Sequence, residues 1–294
     1  MKAQILKAFE KRENLSKQTL AYRIFDGVAD GKEGLYIDRF GDLVIAHWLG
    51  SKHFKQELVT TIDWKQLGIE SVYFRAHQKD PKQTVEHGAQ LILGEKREQI
   101  TILEHGISYL IRPERAVSGG LFLDTRDIRG QIKKTSEYKK VLNTFCYTGS
   151  LGIAAASGAA REVVQVDSNK SVLSWARENY EINQLSTEMR FIPEDSFTFM
   201  QREAKRIEKG AEPYDLVILD PPTFGRSKKG AYRLEEKLEE LVLLAFQILS
   251  EKAELIFTAN YSEMTPELLE QIITINANRV GIEFASIERL LPPE

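Results

Sequence analysis

The second half of the chain alternates with great regularity. Apolar runs at 141–145, 162–167, 189–193, 215–219 and 253–258 are each followed by a stretch with helical spacing, at about 150–158, 169–183, 196–208, 234–250 and 265–278. Short runs of Val, Ile and Leu without polar alternation suit strands covered on both faces. Strand and helix in strict succession specify the α/β class, as a doubly wound parallel sheet. A last strand is expected from about Ile282 to Leu290. The helix starts carry suitable caps: Ser168 or Asn169 before the second, Asp195 or Ser196 before the third, Thr265-Pro266 before the last. Ligands of such sheets bind outside the carboxyl ends of the strands.

The fourth strand ends in Asp220-Pro221-Pro222-Thr223-Phe224. Two prolines fix φ in successive residues and offer no N–H, so the turn is stiff. Asp220 is placed to meet a substrate, and Phe224 offers a face for stacking. The plainer alternative is an acidic turn with a core aromatic ring. The following stretch, 225–233, reads as a loop carrying Arg226, Lys228, Lys229 and Arg233, four cations where nucleic-acid phosphates would be met.

Before residue 113 the pattern changes. A charged helix is expected over residues 4–20, then short strands near 22–26, 34–40, 43–49 and 71–75. A helix from about Lys52 to Ile62 comes between the last two, and a hairpin turned at His105-Gly106 follows. This mixture is a small α+β domain, 1–112, ahead of the α/β domain, 113–294. Lys52, Lys55, Arg75, Lys79, Lys82, Lys96 and Arg97 are candidates for a basic face, although each is as well read as a solvated surface residue. A helix is expected to open at Leu121-Phe-Leu-Asp-Thr-Arg126 and reach about Tyr138. Asp124 either caps it or, with Arg126, holds a charged ligand.

Net charge is −3, so a nucleic-acid partner must be held by a local patch. One cysteine, Cys146, excludes an internal disulfide and points to a reducing, cytoplasmic setting. Five histidines without ligand spacing argue against a metal site. No apolar run is long enough to span a membrane. A homodimer is among the states such a chain allows.

The first strand of the alternation leads into Asn143-Thr-Phe-Cys-Tyr-Thr-Gly-Ser-Leu-Gly152. Gly149 lets the backbone approach a ligand, and the next helix offers its N-terminal N–H groups. The dinucleotide fingerprint fails at its first glycine. Asp167 ends the second strand, where a carboxylate accepts both ribose hydroxyls of a nucleoside. Asp195 follows the third, within reach of an adenine amino group. Three acids at three successive strand ends indicate a nucleoside without a pyrophosphate.

Gly119-Gly-Leu-Phe-Leu-Asp-Thr-Arg126, Val141-Leu-Asn-Thr-Phe-Cys-Tyr-Thr-Gly149, Val164-Val-Gln-Val-Asp-Ser and Leu219-Asp-Pro-Pro-Thr-Phe224 together resemble class I S-adenosylmethionine (SAM)-dependent methyltransferases. More narrowly, the chain is similar to bacterial enzymes that methylate large-subunit ribosomal RNA, the cytosine-carbon-5 type and its guanine-N7 relative. Tyr22-Arg-Ile-Phe-Asp-Gly-Val-Ala-Asp-Gly31 and Leu103-Glu-His-Gly106 resemble the small "EEHI" domain found there. The resemblance implies a Rossmann-like fold, SAM as cofactor and RNA as partner. It implies that Phe145, Thr148 and Gly149 line the methionine part, that Asp167 meets the ribose and Asp195 the adenine, and that Asp124 and Arg126 close over the cofactor. Asn143, Tyr147, Ser168, Ser196 and Asp220 lie in the same stretches and join the expected cofactor set.

The chain departs from that pattern in three places. It starts where the family's N-terminal PUA domain would end. It carries Thr258-Ala-Asn-Tyr-Ser262 where the cytosine enzymes have a cysteine. It stops at Leu291-Pro-Pro-Glu294, before a further closing strand. Methylating cytosine carbon-5 needs a thiolate that adds to the ring. Cys146 follows the first strand, beside the expected cofactor, and reads as a small buried residue. Transfer to nitrogen needs no thiol. The favoured expectation is therefore methylation of a base in RNA. A methyltransferase for a protein or small molecule, or a catalytically silent SAM-binding RNA module, are the alternatives.

Overall fold

In the computed structural model the chain reverses at Gly41-Asp42, where φ of +59° at Gly41 favours a residue without Cβ. The flanking strands pair from Leu35–Trp48 to Phe40–Leu43. The described residues are 1–290, apart from 18, 51–56, 78–87, 117, 228, 229 and 260–263. Helix α1 (Lys2–Arg12) and strands β1 (Ala21–Phe25), β2 (Leu35–Phe40), β3 (Leu43–Trp48), β4 (Ser71–Ala76) and β5 (Gln90–Leu93) build a five-stranded sheet in sequence order. Every neighbouring pair is antiparallel except β3–β4, whose crossover contains the short helix α2 (Glu57–Thr60). Ile5, Ala8 and Phe9 lie on one face of α1 and enter a core with Ile24, Ile37, Val44 and Trp48. Hairpin β6 (Ile100–Glu104) with β7 (Ile107–Ile111) belongs to the same compact unit, Met1–Arg126. The boundary expected after residue 112 lies inside that unit.

The expected helix over 4–20 is shorter. It gives way to a 3-10 turn at Glu13–Lys17, where the Ser16 hydroxyl donates to the Glu13 carbonyl and so competes with helical bonding. Of the helix expected over 52–62, residues 52–56 lie outside the described residues, α2 is helical, and at Thr61-Ile62 the chain already turns. Strand β5 has no counterpart among the sequence expectations; its four residues are too few to show a period.

The second unit is Asp127–Glu294. Its elements are α3 (Arg126–Thr135, begun by the last residue of the first unit), β8 (Lys140–Thr144), α4 (Ser150–Ser157), β9 (Glu162–Asp167), α5 (Lys170–Ile182), β10 (Glu188–Pro193), α6 (Ser196–Ile207), β11 (Tyr214–Leu219), β12 (Phe224–Ser227), β13 (Gly230–Arg233), α7 (Leu234–Ile248), β14 (Leu249–Phe257) and α8 (Pro266–Val280). The parallel strands lie in the order β10-β9-β8-β11-β14, the doubly wound arrangement expected. The chain winds outward from β8 through β9 to β10, then returns to the other side of β8. That reversal sets the switch point between β8 and β11. Val164, Val166, Val217 and Leu219 pack with Phe197 and Met200 of α6 and Leu241 and Ala245 of α7 in a continuous core.

Three expectations are corrected here. Helix α3 begins at Arg126, so Thr125 and not Asp124 flanks its start, and it ends at Thr135. It cannot run to Tyr138, whose φ is +59°. Of the stretch expected as a loop, 225–227 and 230–233 are strand. They belong to the antiparallel pair β12–β13, matched from Phe224–Arg233 to Ser227–Gly230, too short and glycine-rich for a period-two signal. The strand expected over 282–290 does not form among the described residues. These residues follow α8 largely exposed, with no ladder partner to satisfy their backbone groups.

Candidate active site

Register brings the strand ends of the parallel sheet into line. Pro193 pairs with Asp167, Val166 with Thr144, Thr144 with Leu219, and Leu219 with Phe257. Phe145, Ser168, Asp195, Asp220 and Thr258 therefore all emerge at one edge, as the strand pattern of the sequence requires.

The loop from β8 to α4 is the most constrained backbone at that edge. Phe145 and Tyr147 both have positive φ, 53° and 51°, a conformation costly for residues with a Cβ. Neighbouring elements hold it in place. The Phe145 N–H donates to Ser196 Oγ at 3.2 Å, that of Cys146 to the Val166 carbonyl at 3.0 Å, and that of Tyr147 to Asp167 Oδ2 at 3.0 Å. Phe145 also meets Phe197 edge to face, with ring centroids 6.1 Å apart. Asn179 Nδ2 donates to the carbonyl of buried Thr148.

Gly149 then starts α4 with φ of +81°. A Cβ on Gly149 would lie 2.9 Å from Ala176 Cβ and from Gln165 Nε2, and one on Gly152 only 2.4 Å from Gln165 Nε2. These glycines let α4 settle directly on β9. Gln165 is fully buried between them and the sheet. It accepts from Asn143 Nδ2 at 2.7 Å and donates to the Gly149 carbonyl at 3.0 Å. Gln165 is absent from the residues singled out in the sequence; its signal there is an amide inside an otherwise apolar strand.

Asp167 is half-buried. Its Oδ2 takes the Tyr147 amide, and its Oδ1 takes the Asn169 amide at 2.9 Å. Burial holds its carboxyl above the ordinary range, partly offset by those two donors. Asp195 caps α6, its Oδ1 accepting from the Thr198 N–H and hydroxyl, both at 2.9 Å. Ser168 is exposed; Asn169 is the residue that caps α5. Asn143 is fully buried, and its Oδ1 has no hydrogen-bond partner among the described residues. Cys146 is 6% exposed, its Sγ directed to the Tyr147 carbonyl. Burial, then the charge of Asp167, push its thiol up.

Across the switch point, the Thr258 hydroxyl donates to Asp220 Oδ1 and its N–H to the Leu219 carbonyl. This pairing ties the end of β14 to the acidic turn after β11. In the sequence this loop stands out only for lacking a cysteine, and Thr258 is not singled out. Pro221 is buried and Pro222 exposed. The Leu234 N–H donates to the Thr223 carbonyl at 3.0 Å, closing the base of the β12–β13 hairpin directly on the turn. Arg233 is exposed at that base. Lys228 and Lys229, and the side chains of Phe224 and Arg226, lie outside the described residues.

In the first unit, Asp124 is exposed and Arg126 buried, with His105 Nε2 3.2 Å from the Arg126 carbonyl. Of the candidate basic residues there, Lys96 pairs with Glu114 at 2.6 Å, and Arg97 with Glu70 at 3.0 Å and Asp42 at 3.3 Å. Lys52, Lys55, Lys79 and Lys82 fall outside the described residues. No described helix is long and apolar enough to cross a membrane.

Comparison with known proteins gives this geometry its context. A ribosomal RNA large subunit methyltransferase I of Aeromonas hydrophila is 32% identical over 290 residues, which cover 96% of this chain and 72% of that protein. A putative ribosomal RNA large subunit methyltransferase of Bacillus subtilis is 29% identical over 299 residues, 99% of this chain and 74% of the other. A putative methyltransferase crystallised with SAH superposes with a TM-score of 0.81 at 28% identity, covering 93% of this chain and 70% of that one. The family model for S-adenosylmethionine-dependent methyltransferases matches residues 55–294. With the parallel sheet and the glycine-started α4 already described, this establishes that the chain belongs to the S-adenosylmethionine-dependent methyltransferases.

Proposed function

We propose that the protein methylates a nucleobase of RNA, and that the RNA is ribosomal. The carrying observation is the β12–β13 hairpin, whose base closes on the Asp220–Thr223 turn. Its sequence carries Arg226, Lys228, Lys229 and Arg233, the charges that nucleic-acid phosphates would require. The names of the relatives from Aeromonas hydrophila and Bacillus subtilis support the ribosomal assignment.

The residues present fit SAM. A half-buried carboxylate at the end of β9, a helix start built on glycine and a buried amide oxygen without a donor among the described residues supply acceptors and a concave backbone. Asp167 would accept the ribose hydroxyls, and Asp195 the adenine amino group. Gly149 with the N–H groups opening α4 would receive the methionine carboxylate. Phe145, Tyr147 and Thr148 shape the wall, and Ser196 fixes that wall through the Phe145 amide. Asn143 Oδ1 would take the ammonium group, directly or through water. When bound, the cofactor supplies an electrophilic methyl carbon. The protein's part is to stack the base on Phe224, hold it at Asp220 and the rigid Pro221-Pro222 turn, and keep it aligned with that carbon. Mass spectrometry of ribosomal RNA nucleosides from cells with and without the protein should show one methylated nucleoside lost with it. An unchanged nucleoside profile would refute the reading.

A further inference from the structure

We propose that the first unit holds an unpaired RNA base, stacked on the guanidinium of Arg23 where it lies over Tyr36. The inference rests on the RNA reading above and adds a second place of contact, drawn entirely within residues 1–126. Arg23 is the one exposed position of β1, whose other four residues are buried. Its side chain is 42% exposed, yet it is held on several sides. Its Nε donates to Asp38 Oδ1 at 2.8 Å and its Nη2 to Asp38 Oδ2 at 3.2 Å. Its Nη1 lies 3.7 Å from Asp26 Oδ2, and the guanidinium carbon sits 4.9 Å from the centroid of the half-buried Tyr36 ring. Register produces this arrangement. Arg23 pairs with Asp38 across β1 and β2, and Tyr36, two residues before Asp38, projects from the same face. The support beneath is fixed in turn. Asp38 is 7% exposed, its Oδ2 is 3.7 Å from His47 Nε2, and His47 Nδ1 is 3.1 Å from His77 Nε2.

An ion pair with so exposed a partner adds little to stability, and fixing an arginine at the surface costs side-chain entropy. What the arrangement supplies is a flat surface held in one orientation. The charges around it select the flat ligand. Burial opposes the charge on Arg23, but Asp38, then Asp26 and Asp124, outweigh it and hold the group protonated. With three carboxylates about one guanidinium, a phosphate would meet more negative than positive charge. A base is neutral and planar, and unpaired bases stack on arginine planes and aromatic rings alike. The partner is therefore a base of a single-stranded stretch, whose faces are not already covered by its neighbours.

The test uses the full chain and unmodified large-subunit ribosomal RNA transcripts, with filter binding across a salt series. Arg23→Lys keeps a cation beside Asp38 but has no plane to stack on. It should weaken binding by about fivefold to a hundredfold and leave the dependence of log K on log salt as it was, since no phosphate contact is lost. Tyr36→Leu should weaken binding in the same sense, and Tyr36→Phe, which keeps the ring, should bind as the unmodified protein does. SAM affinity should be unchanged in all three. Unreduced RNA affinity in a folded Arg23→Lys protein overturns the inference. So does a loss accompanied by a flatter salt dependence, which would make Arg23 a phosphate contact. Should the variants not fold, unmodified protein decides. Transcripts carrying 4-thiouridine, irradiated on the protein, should cross-link within the peptides that contain Arg23 or Tyr36, and cross-links formed only elsewhere overturn it. If the unmodified protein binds none of these transcripts, the RNA reading itself falls, so the two failures are told apart.

Discussion

Asp167 does two tasks that compete. Its oxygens hold the Tyr147 and Asn169 amides, which shapes the loop, and on the reading above the same oxygens accept the ribose. Asp167→Ala should weaken SAM binding by about 2–3 kcal/mol, the usual worth of hydrogen bonds to a charged acceptor; titration calorimetry on the folded variant checks this. The pH dependence follows from its raised pKa. In the folded protein the carboxyl protonates at a higher pH than an ordinary aspartate, so SAM affinity should begin to fall earlier on acidification. Stability behaves oppositely. A raised folded pKa makes a contribution that is present below the ordinary value and lost as pH rises through the folded one. Acid therefore weakens binding without loosening the fold through this residue. The strand-end position of Asp167 is plain in the sequence, because Val163 to Val166 mark the strand that delivers it. The part played by Ser196 is not. Its bond joins two segments 51 residues apart, a pairing no local pattern announces. Thr258 is hidden for the same reason, lying 38 residues from Asp220.

At the scale of elements, α4 and β9 are joined by the absence of side chains. Gly152→Ala would drive a Cβ against Gln165 and should cost about 1–3 kcal/mol of stability, the range for overpacking, read from the urea midpoint. In a Gln165→Ala background the obstacle is gone, so the same substitution should cost much less. A double-mutant cycle showing no coupling would mean α4 relaxes away from the strand. The parallel strands and their helices are legible because apolar runs and caps such as Asn169, Asp195 and Thr265 agree with one another. The β12–β13 hairpin is not. Its sequence carries glycine at two of eight strand positions and too little periodicity to outweigh a loop reading. The expected strand over 282–290 shows the opposite error, since apolar content without a neighbouring ladder does not make a strand.

For the whole molecule, a net charge of −3 means that attraction to RNA must come from a confined patch rather than the overall field. Neutralising Arg226, Lys228, Lys229 and Arg233 together should weaken RNA binding. It should also flatten the dependence of log K on log salt by about 0.7–0.9 for each phosphate that is no longer neutralised, with SAM affinity unaltered. Filter binding across a salt series measures both quantities; an unchanged slope would place the RNA elsewhere. The strand order has a further consequence. Because the chain turns back at β8, the groups assigned to the nucleoside follow β8, β9 and β10, whereas those proposed for the acceptor follow β11 and β14. The two sets meet only along the line between β8 and β11. Descendants of such a chain can rewrite the acceptor half, exchanging a threonine for a thiol or one hairpin for another, while the donor half passes on unaltered. Divergence in what is methylated then requires no new way of holding the methyl donor.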